Sequence, residues 1–177
     1  MGQFLNLERP WSFFDASGNK YWSGIMLTGQ VIEVYNAEAS ATIAAGEAVI
    51  VDAATSVWSR WDLAATADAP KQVIGGKRVA AAASVGFIGV AGENIPAGKI
   101  GRVYGRGTWA AVKSLASGSV TSNAVGSHAT GSATAGSVDA VSAAALVPGR
   151  RLGIVMIAAA ATGIGGTTYL GVDINPA

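Results

Sequence analysis

The stretch that decides the fold is residues 84–112, which read SVGFIGVAGENIPAGKIGRVYGRGTWAAV. Short apolar runs rich in β-branched and aromatic residues alternate with glycines, which is the pattern of β-strands joined by tight turns. We predict a strand over 84–91 and a turn over 94–98, where proline presets φ and glycine allows the chain to reverse. The stretch therefore predicts antiparallel β-structure.

The second half of this stretch, residues 99–112, gives a two-sided strand pattern when it is read with a period of two. The face predicted to be buried contains Val103, Trp109 and Ala111. The face predicted to be exposed contains Arg102, Tyr104 and Arg106. Two basic residues flanking a tyrosine could bind an acidic partner or a phosphate backbone, and an ordinary solvated face is the alternative. These three are candidate protein-contact residues.

Upstream, residues 46–52 (GEAVIVD) predict another short strand, and residues 57–61 (VWSRW) are its predicted hairpin partner. Trp58 and Trp61, with an arginine between them, could stack on a carbohydrate or form a cation–π contact. Burial in the core or in an oligomer interface is the alternative.

Residues 1–40 contain more than half of the aromatic residues of the chain. They could be an arm that anchors on a partner, because aromatic side chains give large contact area at low entropic cost, or they could be the first strands of the core. The candidate protein-contact residues in this segment are Phe4, Trp11, Phe13, Phe14, Tyr21 and Trp22. The remainder, 41–177, is predicted to be one β domain.

A pseudo-repeat is predicted inside that domain, with one copy over 46–112 and the other over 126–174. The sequence Ile88-Gly-Val-Ala91 is echoed by Leu152-Gly-Ile-Val155, and the final strand alternates in apolarity at Leu170, Val172 and Ile174. Residues 114–149 are rich in Ser, Ala, Gly and Thr, and they predict small-residue strands and turns with one short helix over 138–146. Two related β-units closing one barrel or sandwich are therefore expected.

Composition restricts the partners and the chemistry. The formal net charge is +1, only 13% of residues are charged, 24 are glycine and none is cysteine. The low and scattered charge predicts no binding to nucleic acid, and the lack of a long apolar run predicts no membrane span. Disulfides and thiolate metal sites are excluded. We expect a cytoplasmically made protein without cofactor or metal, whose partners are bound through shape and apolar contact.

Familiar catalytic motifs are absent from the sequence. The nucleophile elbow, the phosphate-binding loop and the dinucleotide fingerprint are all missing from the sequence. His128 is the only histidine and stands among small residues, and the carboxylates that could pair at a distance are Glu47, Asp52, Glu93 and Asp173. A small hydrolase built on these residues is the remaining enzymatic alternative, and we predict that the protein is not an enzyme.

The order of these motifs resembles the small decoration (cement) proteins of tailed-phage heads, including the lambda-like stabilising proteins with a β-tulip fold. The resemblance is carried by 46–52, 88–91, 95–98 and 101–107, and is echoed in 126–174. It implies a compact β-barrel or β-tulip-like body, often trimeric, that binds the major capsid protein on the exterior of the expanded head and stabilises it. The chain departs from the lambda-like members in its extra C-terminal unit and its aromatic N-terminal segment.

We therefore expect an all-β virion structural protein. The alternative within the same class is a head-fibre, tail or baseplate module that binds host glycans through Trp58 or Trp61.

Overall fold

The computed structural model describes residues 11–14, 20–23, 29–52, 74–116, 119–122, 124–159 and 167–176. These residues form β-strands, turns and a short 3-10 helix at Ala143–Ala145. The strands are β1 (Trp11–Phe14), β2 (Lys20–Ser23), β3 (Val31–Asn36), β4 (Ala48–Val51), β5 (Ile74–Arg78), β6 (Phe87–Ala91), β7 (Ile100–Tyr104), β8 (Thr108–Lys113), β9 (His128–Gly131), β10 (Val138–Val141), β11 (Arg151–Ile157) and β12 (Tyr169–Ile174). The prediction of an all-β body is confirmed.

The first unit of the fold, β3–β7, is a closed barrel with the strand order β3-β5-β4-β6-β7. Strands β3 and β5 are parallel, and the other neighbouring pairs are antiparallel. Closure leaves this sheet without an unpaired edge. Its interior is packed with buried aliphatic side chains, among them Val34, Val49 and Val103.

The second unit, β8–β12, is a five-stranded sheet with the order β10-β9-β11-β12-β8. All of its neighbouring strands are antiparallel. Its two outermost strands approach each other in a parallel bridge between Ser114 and Val138. The sheet is thus curled into a nearly closed barrel.

The two units have the same topology, strand for strand. If β8–β12 are matched in order to β3–β7, both units contain one parallel contact, between their first and third strands, and the same four antiparallel pairs. The register matches as well: Val34 pairs with Gly101 in the first unit, and Val112 pairs with Leu170 at the equivalent place in the second. The chain is therefore built from one β-unit used twice.

Irregularities of the strands are repeated too. The pairing of β4 with β6 skips Ile88, and the pairing of β9 with β11 skips Leu152 at the equivalent position. Such β-bulges are specific features of a fold, because each shifts the facing of the residues that follow. A shared bulge at a matched position strengthens the equivalence of the units.

The turn that precedes the second strand is also shared. Gly46 N–H donates to the carbonyl of Ala91 at 2.8 Å, and Gly126 N–H donates to that of Val155 at 2.8 Å. Both glycines have positive φ, +84° and +88°, which side chains rarely adopt. Glycine is thus required at this turn in both units.

Several sequence predictions need correction. Trp109 and Ala111 are exposed, and Thr108, Ala110 and Val112 are buried in their place. The chain turns at 105–107 and β8 enters the second unit, so the two-residue period does not run from β7 into β8. The predicted helix over 138–146 is instead strand β10 followed by the 3-10 turn, because β10 pairs with β9.

Unit boundaries differ from the sequence estimate as well. Strand β3, inside the segment 1–40, belongs to the first barrel, and β8 belongs to the second unit and not to a copy ending at 112. The predicted hairpin partner at 57–61 lies outside the described residues, and the described antiparallel partners of β4 are β5 and β6.

Candidate protein-contact surfaces

Arg102 and Arg106 are exposed, as the strand pattern predicts. The backbone N–H and the Nε of Arg102 donate to one oxygen of Glu93, at 2.9 and 3.4 Å. The Nε of Arg106 donates to Oδ1 of Asn175 at 3.0 Å. Both guanidinium groups are thereby oriented along the surface, although an ion pair as exposed as that of Arg102 with Glu93 contributes little to stability.

Tyr104, placed on the exposed face by the sequence pattern, is only 8% exposed. Its ring lies against Gly92, where even a Cβ would collide with it. Tyr104 does point out of the first barrel, on the same side as Arg102, but the second unit covers it there. Burial of a side chain by residues distant in sequence is a tertiary effect, and the alternation of residues along a strand does not predict it.

Five of the six aromatic N-terminal candidates lie in a two-stranded sheet. Strand β1 contains Trp11, Phe13 and Phe14, and β2 contains Tyr21 and Trp22. The two strands are antiparallel, with Phe13 opposite Tyr21. Phe4, Trp58 and Trp61 lie outside the described residues. The contact role of these aromatic residues stays a prediction.

The face of the first unit that meets the second is a continuous row across its strands. The row is Val79, Ala48, Val90, Tyr104 and Val31, joined by strand pairing and by the hydrogen bond from Val79 N–H to the Ala48 carbonyl. We call it the first-unit face. Apart from Val31, its members are buried in the core cluster that also contains Val112, Leu152 and Leu170 of the second unit.

The equivalent row of the second unit is Val141, His128, Ile154, Asp173 and Trp109, which strand pairing again joins. We call it the second-unit face. Trp109 is 46% exposed, and Ile157 beside the row is 68% exposed. Nδ1 of His128 is buried without a hydrogen-bond partner among the described residues. Sequence reasoning missed this surface because it assigned Trp109 to the core.

An edge of the second unit holds the first-unit face through specific polar contacts. Lys113 donates its backbone N–H to the Gly46 carbonyl and its Nζ to Oε1 of Glu47, both at 2.8 Å. Glu47 is almost completely buried, and its other oxygen accepts from the Ala44 N–H at 2.9 Å. A buried carboxylate is tolerable only with such partners. Glu47 thus has a structural role at the junction.

A second group of contacts at the junction comes from the β9–β10 turn. Gly136 accepts from the Ala48 N–H at 3.0 Å and donates to the Val79 carbonyl at 2.7 Å. The turn therefore bonds to the main chain of the first-unit face on both sides. These bonds make the two units one connected body.

Three of the carboxylates named for a possible hydrolase form ion pairs with basic side chains. Asp52 pairs with Lys77 at 3.1 Å, Glu93 with Arg102 and Glu47 with Lys113. Asp173 and His128 lie on either side of Ile154 in the second-unit face. Within the described residues, no three His, Asp or Glu side chains are grouped to hold a metal ion.

Among the described residues there is no helix with the length and apolarity needed to cross a membrane. No protein-family model matches the chain. No curated protein is significantly similar to it.

Proposed function

We propose that this protein is a non-enzymatic virion structural protein that binds the outer surface of the major capsid lattice of a tailed-phage head and stabilises the expanded head. The observation that carries the proposal is the placement of large apolar side chains, exposed to solvent, on both β-units. Val51 and Ile100 of the first unit are 43% and 49% exposed, and Trp109 and Ile157 of the second are 46% and 68% exposed. Trp109 and Ile157 share one outer face, because Gly171 pairs with both Ile157 and Ala111, and Trp109 lies two residues before Ala111 on β8. An exposed apolar face of this kind favours a surface that binds other proteins.

The rigid framework supports the same role. Both units are closed or nearly closed sheets, and their acidic side chains are largely committed to internal partners, as with Glu47 and Asp52. A surface presented on paired strands keeps its shape when it binds, so that little entropy is lost. On a lattice, many such modest contacts add up through multivalency.

The motifs that resemble decoration proteins also coincide with structural elements. Residues 46–52 contain β4, 88–91 lie in β6, and 101–107 contain most of β7 and the turn that follows. They are therefore strands of one barrel, the first unit, whose topology the second unit repeats. In this proposal the partner is the major capsid protein, and the protein itself is a homo-oligomer, a trimer by the resemblance. It acts on the capsid exterior after synthesis in the host cytoplasm, without cofactor, nucleic acid or membrane.

The test is addition of the purified protein to expanded, undecorated heads, with binding measured by co-sedimentation and stability by the temperature at which heads release DNA. We expect saturable binding and a higher release temperature. A variant with Arg102→Gln and Arg106→Gln should bind more weakly than a control with Arg150→Gln. Failure of the unaltered protein to bind any expanded head contradicts the proposal.

A second candidate is a head-fibre, tail or baseplate module that binds host glycans. The specific observation that favours it is Trp109, an exposed indole opposite Asp173 on an open sheet face. An aromatic ring can stack on a sugar, and a carboxylate beside it can accept hydrogen bonds from the hydroxyl groups of the sugar. A glycan-array signal that Trp109→Ala abolishes, together with no binding to heads, would favour this candidate over the first.

A further inference from the structure

Two arginines of the second-unit side of the molecule differ from several other basic residues in what holds them. Arg106 and Arg151 form no ion pair with a carboxylate among the described residues, and both are oriented by one uncharged residue, Asn175. The Nε of Arg106 donates to Oδ1 of Asn175 at 3.0 Å, and the Nε of Arg151 donates to the Asn175 backbone carbonyl at 3.3 Å. We call these two residues the arginine pair. The basic side chains that do have a carboxylate partner are Lys77, Arg78, Arg102 and Lys113.

The arginine pair is assembled from parts of the chain that are distant in sequence. Arg106 lies in the turn between β7 and β8, Arg151 begins β11, and Asn175 follows β12. Arg106 is exposed, and Arg151 is partly open to solvent. A guanidinium group has five N–H donors, so each arginine keeps the donors of its two Nη atoms after the Nε bond is made. Two positive charges held at one neutral residue, with donors to spare, favour a bound anion.

The arginine pair lies at one end of the second-unit face. Asn175 comes two residues after Asp173, and Ile174 between them is fully buried, so Asn175 and Asp173 are on the same side of β12. Asp173 pairs with Ile154 on one neighbouring strand and with Trp109 on the other. Two residues of a strand span about 7 Å, so a peptide held at the arginine pair also reaches these two apolar side chains.

The charges at this end of the face favour a carboxylate over a phosphate. Asp173 offsets one of the two positive charges of the arginine pair, and the remaining one matches a single carboxylate. The two oxygens of a carboxylate also fit the parallel N–H donors of a guanidinium group. A phosphate group carries more negative charge and would be repelled by Asp173. A nucleic-acid backbone is bound through cations that contact many successive phosphates, whereas the net charge of this chain is only +1.

We propose that the arginine pair is a binding site for the carboxylate of an acidic peptide segment of another protein. The Nη groups of Arg106 and Arg151 donate to the carboxylate oxygens, and Asn175 keeps both guanidinium groups in position through their Nε atoms. An apolar side chain next to the acidic residue of the segment packs on Trp109 or Ile154. The site is defined by the chemistry of the segment and does not depend on capsid binding.

The test is an NMR titration of the full-length, isotope-labelled protein with two blocked tripeptides, acetyl-Leu-Glu-Leu-amide and acetyl-Leu-Gln-Leu-amide. The Glu peptide has one carboxylate, and the Gln peptide has none. The Nε–Hε signals of Arg106 and Arg151 should shift together and saturate with the Glu peptide, with a dissociation constant in the millimolar range. The Gln peptide should leave both signals in place. Equal shifts with the two peptides, or no shift with either, would overturn the inference.

Three variants separate a specific site from a general attraction of charges. Arg151→Gln should weaken binding of the Glu peptide by at least about tenfold, because it removes one set of charge-assisted hydrogen bonds. Arg150→Gln removes the same charge from the adjacent residue, outside the arginine pair, and should weaken binding less than about twofold because solvent and salt screen it. Asp173→Asn should strengthen binding, since it removes a nearby negative charge. Equal losses in Arg150→Gln and Arg151→Gln would show that only net charge matters.

Inorganic phosphate at the same ionic strength is the third probe. It should bind the unaltered protein more weakly than the Glu peptide does, and tighter binding of phosphate would overturn the choice of a carboxylate. The titrations of the unaltered protein decide the question even if a variant does not fold. Heads that fail to bind a protein that binds the Glu peptide would contradict the proposed function alone. Heads that bind a protein whose arginine pair does not respond to the Glu peptide would contradict this inference alone.

Discussion

Val90 in the first unit is 1% exposed, whereas Ile154 at the equivalent position of the second unit is partly open to solvent. The strands around the two residues have the same order, the same register and the same bulge. What differs is only that one face is covered by its neighbour. The comparison teaches that the burial of this outward-facing position is decided by whether the neighbouring unit covers it, whereas inward-facing positions such as Val103 and Val172 are buried in both units.

The units also differ in how they close. In the first, β3 and β5 pair at three successive residues, and in the second the equivalent strands meet only at Ser114 and Val138. The core of the second unit is completed by side chains of the first, including Phe87 and Tyr104. The second unit therefore depends on the first for its stability, and the two should unfold together.

The largest effect is expected from truncation of the core at the shared bulge. Leu152→Ala should lower the free energy of unfolding by about 3–4 kcal/mol, and Ile88→Ala at the equivalent position by about 3 kcal/mol, because each leaves a cavity. Urea unfolding followed by circular dichroism, with calorimetry in parallel, measures both. We expect a single transition in each variant. Two transitions, of which Leu152→Ala shifts only one, would show that the units are independent.

The next largest loss of unfolding free energy is expected when a methyl group is added to a glycine at which two strands pack closely. A Cβ on Gly153 would meet the Asp173 carbonyl and lie 2.7 Å from Cγ1 of Val172, and Gly89 is equally confined by the main chain at Tyr104. Gly153→Ala and Gly89→Ala should each cost about 2–3 kcal/mol through overpacking. Gly149→Ala is the control: it has open space and a φ of +79°, and should cost about 1 kcal/mol. Equal losses of unfolding free energy at all three glycines would contradict the close packing of neighbouring strands at Gly153 and Gly89.

A smaller difference is expected at the junction. Lys113→Met leaves the buried carboxylate of Glu47 without its cation and should lower the free energy of unfolding by about 2 kcal/mol. This loss is smaller than that expected for a fully buried ion pair, because the Lys113 side chain is 30% exposed. The side-chain hydroxyl of Ser127, at the position equivalent to Glu47, shares a hydrogen bond of 2.9 Å with the Ser122 hydroxyl, and Ser127→Ala should lower the free energy of unfolding by about 1 kcal/mol. A double-mutant cycle of Lys113→Met with Glu47→Gln measures the coupling. A coupling free energy of zero would mean that Lys113 and Glu47 do not form an ion pair.

The smallest effect is expected at the exposed end of the second-unit face. Trp109→Ser should change the free energy of unfolding by less than about 1 kcal/mol, as surface substitutions usually do. Val103→Ala, on the face to which the sequence pattern also assigned Trp109, should cost about 2–3 kcal/mol because Val103 is fully buried. Similar losses of unfolding free energy in both variants would mean that Trp109 is buried, as the sequence pattern predicted.

Local patterns were sufficient to predict the all-β fold, the strands near 46–52 and 84–91, and the alternation of Leu170, Val172 and Ile174. These depend on neighbouring residues and on turn glycines, which act locally. The repeated sequence at Ile88 and Leu152 did mark equivalent strands.

The face of Trp109 and the burial of Tyr104 could not be predicted in this way. Trp109 follows a turn into a different sheet, and Tyr104 is covered by residues far away in sequence. Val31, at the position of the first unit that is equivalent to Trp109, is 49% exposed as well.

The central claim is that equivalent faces of one repeated unit differ because only one is covered. The chain has no cysteine, so Val90→Cys and Ile154→Cys each introduce a single thiol at matched positions. Their rates of reaction with a thiol reagent, measured on dilute protein, test the claim directly. The account predicts that the thiol at 154 reacts at least about 100-fold faster, because the thiol at 90 is reached only through opening of the junction. Equal rates at the two positions would contradict it.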